Sequence, residues 1–186
     1  MPANVFVTGP PGSGKTTAVE RARERLADRG HVAAGVRAPE VREGGERVGF
    51  DIVSLRTGRR AAMARIDRDA GPGVGKYRVD VRAVDRLVAD ALDTAGVDYL
   101  LLDEIGPMQV RSDTFVRRVR AALDAETPVL ATVKADSRPD GDRDPTDFIE
   151  AVHDRDDGLR VTVTPAERDA LPERLAAAVA ARCGGD

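Results

Sequence analysis

Two rhythms of apolar positions run along the chain. Short, nearly continuous apolar runs occupy Asn4–Thr8, His31–Arg37, Val97–Asp103 and Pro128–Val133, the pattern of strands buried on both faces. Between them, apolar residues recur three or four apart. Val19, Ala22 and Leu26 predict a helix from Lys15 to about Arg29, stopped by Gly30. Val81, Val84, Val88, Ala91 and Ala95 predict a second over Val81–Ala95, ended by Gly96, and Phe115, Val119, Ala122 and Leu123 a third behind the capping residue Ser112. Glu43-Gly44-Gly45-Glu46 reads as the turn between Val41 and a strand over Arg47–Leu55, while Arg60–Ile66 and Lys76–Asp80 read as extended. Further on, Phe148–His153 predicts a short helix and Leu159–Thr164 a last strand. Pro165 is expected to open a terminal helix with Leu171, Leu175, Ala178 and Val179 inward, and the Asp, Arg, Pro and Gly content of residues 136–147 predicts a mobile surface loop. Strands alternating with helices argue for an α/β fold in three layers, a mostly parallel sheet with helices on both faces. A chain of 186 residues fits one domain over 1–186.

The first apolar run leads directly into Gly9-Pro10-Pro11-Gly12-Ser13-Gly14-Lys15-Thr16-Thr17, which reads G-x-x-x-x-G-K-[ST] between a strand and a helix. That is the phosphate-binding loop of nucleoside-triphosphate proteins in its proper context. Glycines let the backbone curl with its N–H groups pointing inward at phosphate oxygens. Lys15 adds a point charge for the β- and γ-phosphates, and the Thr16 hydroxyl is placed to ligate Mg²⁺. The following helix turns its positive end toward the same anion. A second glycine-rich segment, Gly71-Pro72-Gly73-Val74-Gly75-Lys76-Tyr77, has Tyr where Ser or Thr is needed and follows a charged stretch; it is not a second phosphate loop.

Such a loop needs an acidic residue at the end of another strand to help hold the metal. Tyr99-Leu100-Leu101-Leu102-Asp103-Glu104 supplies one. Asp103 reaches Mg²⁺ through water in this reading, and Glu104 is free to accept a proton from, or orient, the water that attacks the γ-phosphate. An Asp–Glu pair at this place favours the subclass with an additional strand between the two motif strands. The nucleotide-binding set then comprises Gly9 through Thr17 together with Leu102, Asp103, Glu104, Ile105 and Gly106. Arg42 and Arg47, on the hairpin, are candidates for an arginine supplied in cis to the γ-phosphate, with Arg42 counted as catalytic beside Lys15 and Glu104. Lys76 and Lys134 lie near strand ends where either could reach phosphate.

Composition narrows the partners. The formal net charge is −3, so no strongly basic nucleic-acid surface is indicated. Aromatic residues make up 3% of the chain, which leaves Val, Leu, Ile and Ala to build the core. Basic residues are nearly all Arg; the lysines are Lys15, Lys76 and Lys134. Cys183 is the one cysteine, which rules out an intrachain disulfide. No signal peptide pattern opens the chain and no apolar run reaches membrane length, so a cytoplasmic protein with no membrane partner is expected; a monomer is expected as well.

Several blocks together resemble a known family, the small nucleoside-triphosphatases of archaea, thermophilic bacteria and animals. Beyond the phosphate loop, Glu40-Val41-Arg42-Glu43-Gly44-Gly45-Glu46-Arg47-Val48-Gly49-Phe50-Asp51 resembles its E-V-R-x-x-G-x-R-x-G-F block. Val74-Gly75-Lys76-Tyr77-Arg78-Val79 resembles V-G-K-Y-x-V, and Asp103-Glu104-Ile105-Gly106-Pro107-Met108 resembles D-E-I-G-x-M. The resemblance implies a RecA-like sheet and an Mg²⁺-dependent phosphatase acting on ATP, GTP and other nucleoside triphosphates with loose base preference. It also implies that Arg42, Arg47 and Lys76 sit near the nucleotide. One departure is Glu167-Arg168-Asp169-Ala170-Leu171-Pro172, where the family carries Asn in place of Glu167. Two alternatives use the same loop: a small-molecule kinase with the 136–147 segment as lid, and a nucleotide-dependent switch binding RNA or protein through Arg56, Arg59, Arg60 and Arg65.

Overall fold

A computed structural model describes residues 4–135 and 147–183. The elements are β1 (Asn4–Thr8), α1 (Lys15–Asp28), β2 (Ala33–Arg37), β3 (Glu40–Glu43), β4 (Glu46–Ser54), β5 (Arg60–Arg65), β6 (Gly73–Val74), β7 (Tyr77–Val79), α2 (Val81–Ala91), β8 (Tyr99–Ile105), α3 (Asp113–Leu123), β9 (Val129–Val133), α4 (Asp147–His153), β10 (Gly158–Thr162) and α5 (Leu171–Cys183). One sheet runs through them in the order β10-β1-β9-β8-β2-β4-β5-β7-β6, with β3 also on β4. From β10 to β2 the strands are parallel; from β4 onward they form an antiparallel extension. The expected additional strand is β9, which lies between β1 and β8.

Residues along the central strands alternate between two cores. Val5, Val7, Tyr99 and Leu101 pack under α1 and α5 with Val19, Leu26, Leu175 and Val179. Phe6, Leu100 and Leu102 face the other way, onto Val84 and Val88 of α2, Phe115 and Val119 of α3 and Ile149 of α4. Period-2 alternation through a sheet with apolar residues on both faces requires a helical layer on each side. The three-layer fold follows from that.

The ends of some elements differ from expectation for local reasons. α2 stops at Ala91 instead of Ala95, because the Asp93 carboxylate accepts from the Ala95 N–H in a turn that competes with the helix. α5 starts at Leu171, six residues after Pro165. The intervening segment is a run of turns in which the Thr164 hydroxyl donates to Glu167 and Arg174 pairs with the same carboxylate. Pro172, which has no N–H, fits the first turn of the later helix. The hairpin turn is as read: Gly44 and Gly45 both have positive φ (55° and 87°), the geometry of a two-residue turn. The segment set aside as a false phosphate loop is a hairpin too, β6 and β7 joined at Gly75-Lys76. The reading of residues 136–146 as a loop lies outside the described residues.

The extension is tied together by Asp51 on β4, whose side chain is 10% exposed and pairs with Arg65 and Arg60 of β5. Burial alone would raise this carboxyl, but the Arg65 and Arg60 hydrogen bonds outweigh it and hold it below the usual carboxylate range. A depressed carboxylate stabilises the fold at neutral pH, and that contribution is lost as pH falls through its folded value. Asp51→Asn should therefore lower stability at pH 7 by about 1–3 kcal/mol, with the smaller figure favoured by the exposure of Arg60. It should also flatten the decline of stability below about pH 4. Urea unfolding at neutral and acidic pH measures both.

Candidate active site

The site begins where β1 ends. Thr8 passes into a loop in which Gly9, Gly12 and Gly14 have φ of 150°, 73° and 98°, and α1 starts at Lys15. Gly14, at the N-cap, supplies the left-handed turn and no side-chain cap, so the helix's first N–H groups stay open toward the loop. The Lys15 ammonium folds back over the loop and donates to the Gly9 and Pro10 carbonyls, at 2.8 and 3.2 Å. A Cβ on Gly14 would lie 3.6 Å from Nε of Arg168, so the turn before α5 rests against the start of α1.

Two strands away, the end of β8 is bent by a bulge. Leu102 pairs with Ala131 and Ile105 with Val133, which leaves Asp103 and Glu104 together opposite Thr132. The extra residue moves Ile105 into the same core as Leu102, three positions earlier, where regular alternation would have sent it to the opposite face. The Asp103–Glu104 peptide is cis. Asp103 is buried at 6% exposure and its Oδ1 accepts from two hydroxyls, Thr132 Oγ1 at 2.5 Å and Thr16 Oγ1 at 3.3 Å. Burial pushes its carboxyl above the ordinary range, against the two hydroxyl hydrogen bonds. Glu104, half-buried, is raised by burial and by Asp103, and pulled back by Lys134 and Lys15.

Loop and carboxylates open into one cavity of about 1180 Å³. Its floor is Gly9–Gly12 and Gly14–Thr17, with Asp103, Glu104 and Lys134 beside it. Its far wall comes from the extension and the segment after β8: Arg47, Phe50, Met63, Tyr77 and Met108. The Phe50 and Tyr77 rings meet edge to face at 5.4 Å, and the Arg47 guanidinium lies 5.2 Å from the Phe50 ring centre. Arg47 also donates to the Tyr77 hydroxyl at 2.9 Å and to Glu40 at 2.8 Å.

The cavity thus brings together Lys15, Thr16, Thr17, Asp103, Glu104 and Arg47. Arg42 is not on its wall. It is opposite Arg47 in the hairpin and bonds the other oxygen of Glu40 and the Gly45 carbonyl. Lys76 is flanked by two cavity residues, Gly75 and Tyr77, and its ammonium lies 5.6 Å from the Tyr77 ring centre. Leu102 and Ile105 are fully buried in the core, and Ser13 and Gly106 are likewise absent from the cavity wall. Sequence reasoning gave no role to Thr132, Phe50 or Met108, and named Tyr77 only within a segment, Gly75-Lys76-Tyr77, that the resemblance puts near the site. Thr132 carried a signal, since it is the one hydroxyl in an apolar strand run. The arginines suggested as a nucleic-acid patch are engaged within the fold: Arg56 bonds the Asp93 and Ala95 carbonyls, Arg59 faces Asp90, and Arg60 and Arg65 hold Asp51.

A glycine loop between strand and helix, with a buried Asp two strands away, defines a phosphate-loop nucleotide-binding α/β protein. Comparison with known proteins agrees. The profile of the NTPase family matches residues 4–176, and the chain belongs to that family. It is 40% identical over 177 residues to the nucleoside-triphosphatase THEP1 of Methanopyrus kandleri, covering 94% of each chain. It is 37% identical to the cancer-related nucleoside-triphosphatase homolog of Bos taurus, covering 93% of this chain and 95% of that one. The crystal structure of THEP1 from Aquifex aeolicus superposes with a TM-score of 0.79 at 27% identity, over 95% of this chain and 98% of that one. The solution structure of a human cancer-related nucleoside triphosphatase gives 0.76 at 32%, over 96% and 97%. Among the described residues, no helix is long and apolar enough to cross a membrane.

Asp103 disfavours the empty fold. A carboxyl raised by burial is less stable charged inside the protein than in the unfolded chain, so at neutral pH its ionisation costs folding free energy. Asp103→Asn keeps an oxygen acceptor for Thr132 and Thr16 and removes the charge. The ligand-free variant should melt a few degrees above the parent, as read by circular dichroism or calorimetry.

Proposed function

We propose that the chain hydrolyses nucleoside triphosphates to the diphosphate and phosphate, with Mg²⁺ and broad base preference, ATP and GTP included. The observation that carries this reading is the meeting of the phosphate loop, Asp103 and Glu104 in one cavity. Loop N–H groups and Lys15 bind the phosphate tail, and Lys15 exchanges its contacts with the Gly9 and Pro10 carbonyls for phosphate oxygens. Glu104 is one residue beyond the metal-side carboxylate and half-buried at the cavity. It accepts the proton of the attacking water while the water oxygen bonds to phosphorus and the diphosphate oxygen departs. Burial and the neighbouring Asp103 make Glu104 a stronger base than a solvated carboxylate. Arg47 faces the cavity from the extension and takes the role of the cis arginine more readily than Arg42, which stays with Glu40 and Gly45. Lys76 supports the same wall through Tyr77 in this reading, its ammonium lying 5.6 Å from that ring centre.

The donor set suits Mg²⁺. Thr16 and Asp103 offer two hard oxygens 3.3 Å apart at the cavity floor. Among the described residues, no group of three or more His, Cys, Asp or Glu forms an all-protein cage. Mg²⁺ is ordinarily held by one or two side-chain oxygens, with phosphate and water completing its shell. When bound it neutralises charge on the β- and γ-phosphates. One chain carries every group this reading needs, which supports a monomer, and we place it in the cytoplasm.

A steady-state panel of ATP, GTP, CTP and UTP with and without Mg²⁺ tests the reading. Phosphate should be released from all four and fall to background in excess EDTA. Glu104→Gln should lower kcat by about a hundredfold or more while nucleotide still binds. Lys15→Ala should weaken both binding and turnover. Phosphate release by Glu104→Gln at the parent rate would remove Glu104 from the mechanism.

A further inference from the structure

Three of the 29 basic residues in this chain are lysine, and the fold gathers all three at one cavity. Lys15 and Lys134 line it, and Lys76 stands between the lining residues Gly75 and Tyr77. Where arginine is the habit, a retained lysine marks a place that needs a compact, mobile point charge instead of a planar fork. Lys15 has its explanation in the phosphate loop. For Lys134 there is so far only the expectation that it could reach phosphate.

Its placement is specific. Lys134 is the first residue past the C-terminal end of β9, the strand between the phosphate-loop strand β1 and the carboxylate strand β8. Ligands of open α/β sheets bind outside such carboxyl ends. The backbone there is held from two sides: the Lys134 N–H donates to the Ile105 carbonyl at 3.3 Å, and its carbonyl bonds Nε2 of His153 at 2.7 Å. The side chain is half-buried and faces the cavity. Its ammonium makes no hydrogen bond or ion pair among the described residues, although its charge acts on Glu104. A half-buried, unpartnered ammonium beside a carboxylate, on a fixed backbone, is arranged for an anion arriving from the cavity.

The direction of the nucleotide says which part of the anion arrives there. Loop amides take the α- and β-phosphates and Lys15 the β- and γ-phosphates. Asp103 and Thr16 mark the β,γ end. Lys134 shares the cavity with Glu104, beyond that end. Resting on the hydrolase reading above, we propose that Lys134 is a further catalytic residue, whose ammonium contacts the γ-phosphate and keeps Glu104 beside it. It is thus a group that distinguishes a triphosphate from a diphosphate. It stabilises charge on the transferring phosphoryl oxygens from the end of β9, the strand next to the loop strand, and in the diphosphate complex it has no oxygen to meet.

The test compares Lys134→Met with the parent, using the β,γ-imido analogue of ATP and ADP as calorimetric probes with Mg²⁺. Analogue affinity should fall about tenfold while ADP affinity moves by less than about threefold, and kcat for ATP should fall about a hundredfold. Lys134→Arg should recover part of the loss, since it restores charge without the compact geometry. Should Lys134→Met fail to fold, Lys134→Gln serves the same comparison. Parallel losses for analogue and ADP, or a kcat within about threefold of the parent, would overturn the proposal and leave the hydrolase reading intact. A parent that releases no phosphate, combined with an analogue-specific loss in the variant, would sink the hydrolase reading and keep the γ-phosphate contact.

Discussion

The Asp103 carboxylate is held by Thr132 on one side and Thr16 on the other, and the active-site geometry is organised around that pair of hydroxyl contacts. Thr132 belongs to β9 and Thr16 to α1, so one oxygen joins the second motif strand, its neighbour and the phosphate-loop helix. The bulge that sets Asp103 and Glu104 against Thr132 makes room for this arrangement. The cost is a buried charge with two neutral donors and, among the described residues, no arginine or lysine bonded to it, and burial accordingly raises its carboxyl. Buried charge without a fixed counter-ion is the usual condition of a group that receives its partner from outside.

Around that carboxylate the cavity divides by chemistry. The parallel half contributes backbone N–H groups, Lys15, Thr16, Asp103, Glu104 and Lys134. The antiparallel half contributes Phe50, Met63 and Tyr77, with Arg47 as its cation. Glu40 neutralises Arg47 and Arg42 at once, one oxygen to each. The Arg47 hydrogen bond is the largest influence holding the Glu40 carboxyl below its usual range. Arg47 therefore rests on a carboxylate and a ring instead of projecting freely. Its position at the wall is fixed before any anion enters, which reduces the ordering needed on binding.

Much of this was legible in the sequence, and the limits follow from range. The phosphate loop, the helix behind it and the Gly44-Gly45 turn depend on residues a few positions apart, and each was read correctly. The additional strand between β1 and β8 was also inferred, because the adjacent Asp103 and Glu104 imply it. The β8 bulge was not readable, since it exists only in the pairing with β9. Arg42 was counted as catalytic with Arg47 as a second candidate, and the sequence could not rank them for the same reason. They face each other across a hairpin whose register shifts next to Arg42, so alternation from the sequence could not tell which one reaches the cavity. The end of α2 was misplaced where the Asp93 side chain competes for the backbone, and the start of α5 where Glu167 takes the Thr164 hydroxyl and Arg174 within a run of turns.

The two halves of the sheet meet at β2, and that junction decides whether the aromatic wall acts as scaffold or as lid. Arg37 pairs with Asp103 of β8 on one side and with Val53 of β4 on the other. The backbone at Asp103 is thus joined, through Arg37 of β2, to the strand that carries Phe50 and Arg47. Below the sheet, Ile52 and Met63 of the extension share a core with Val84, Leu87 and Val88 of α2, and the same core reaches Leu102 and Ile105 on β8. Close-packed interiors of this kind do not deform continuously. Displacing the wall from the phosphate loop would break the β2 pairing or open that core, and either change costs more than a lid can absorb in each turnover. The wall therefore behaves as fixed scaffold, and the parts free to respond to nucleotide are side chains on it and beside it, Lys15 and Lys134 first among them.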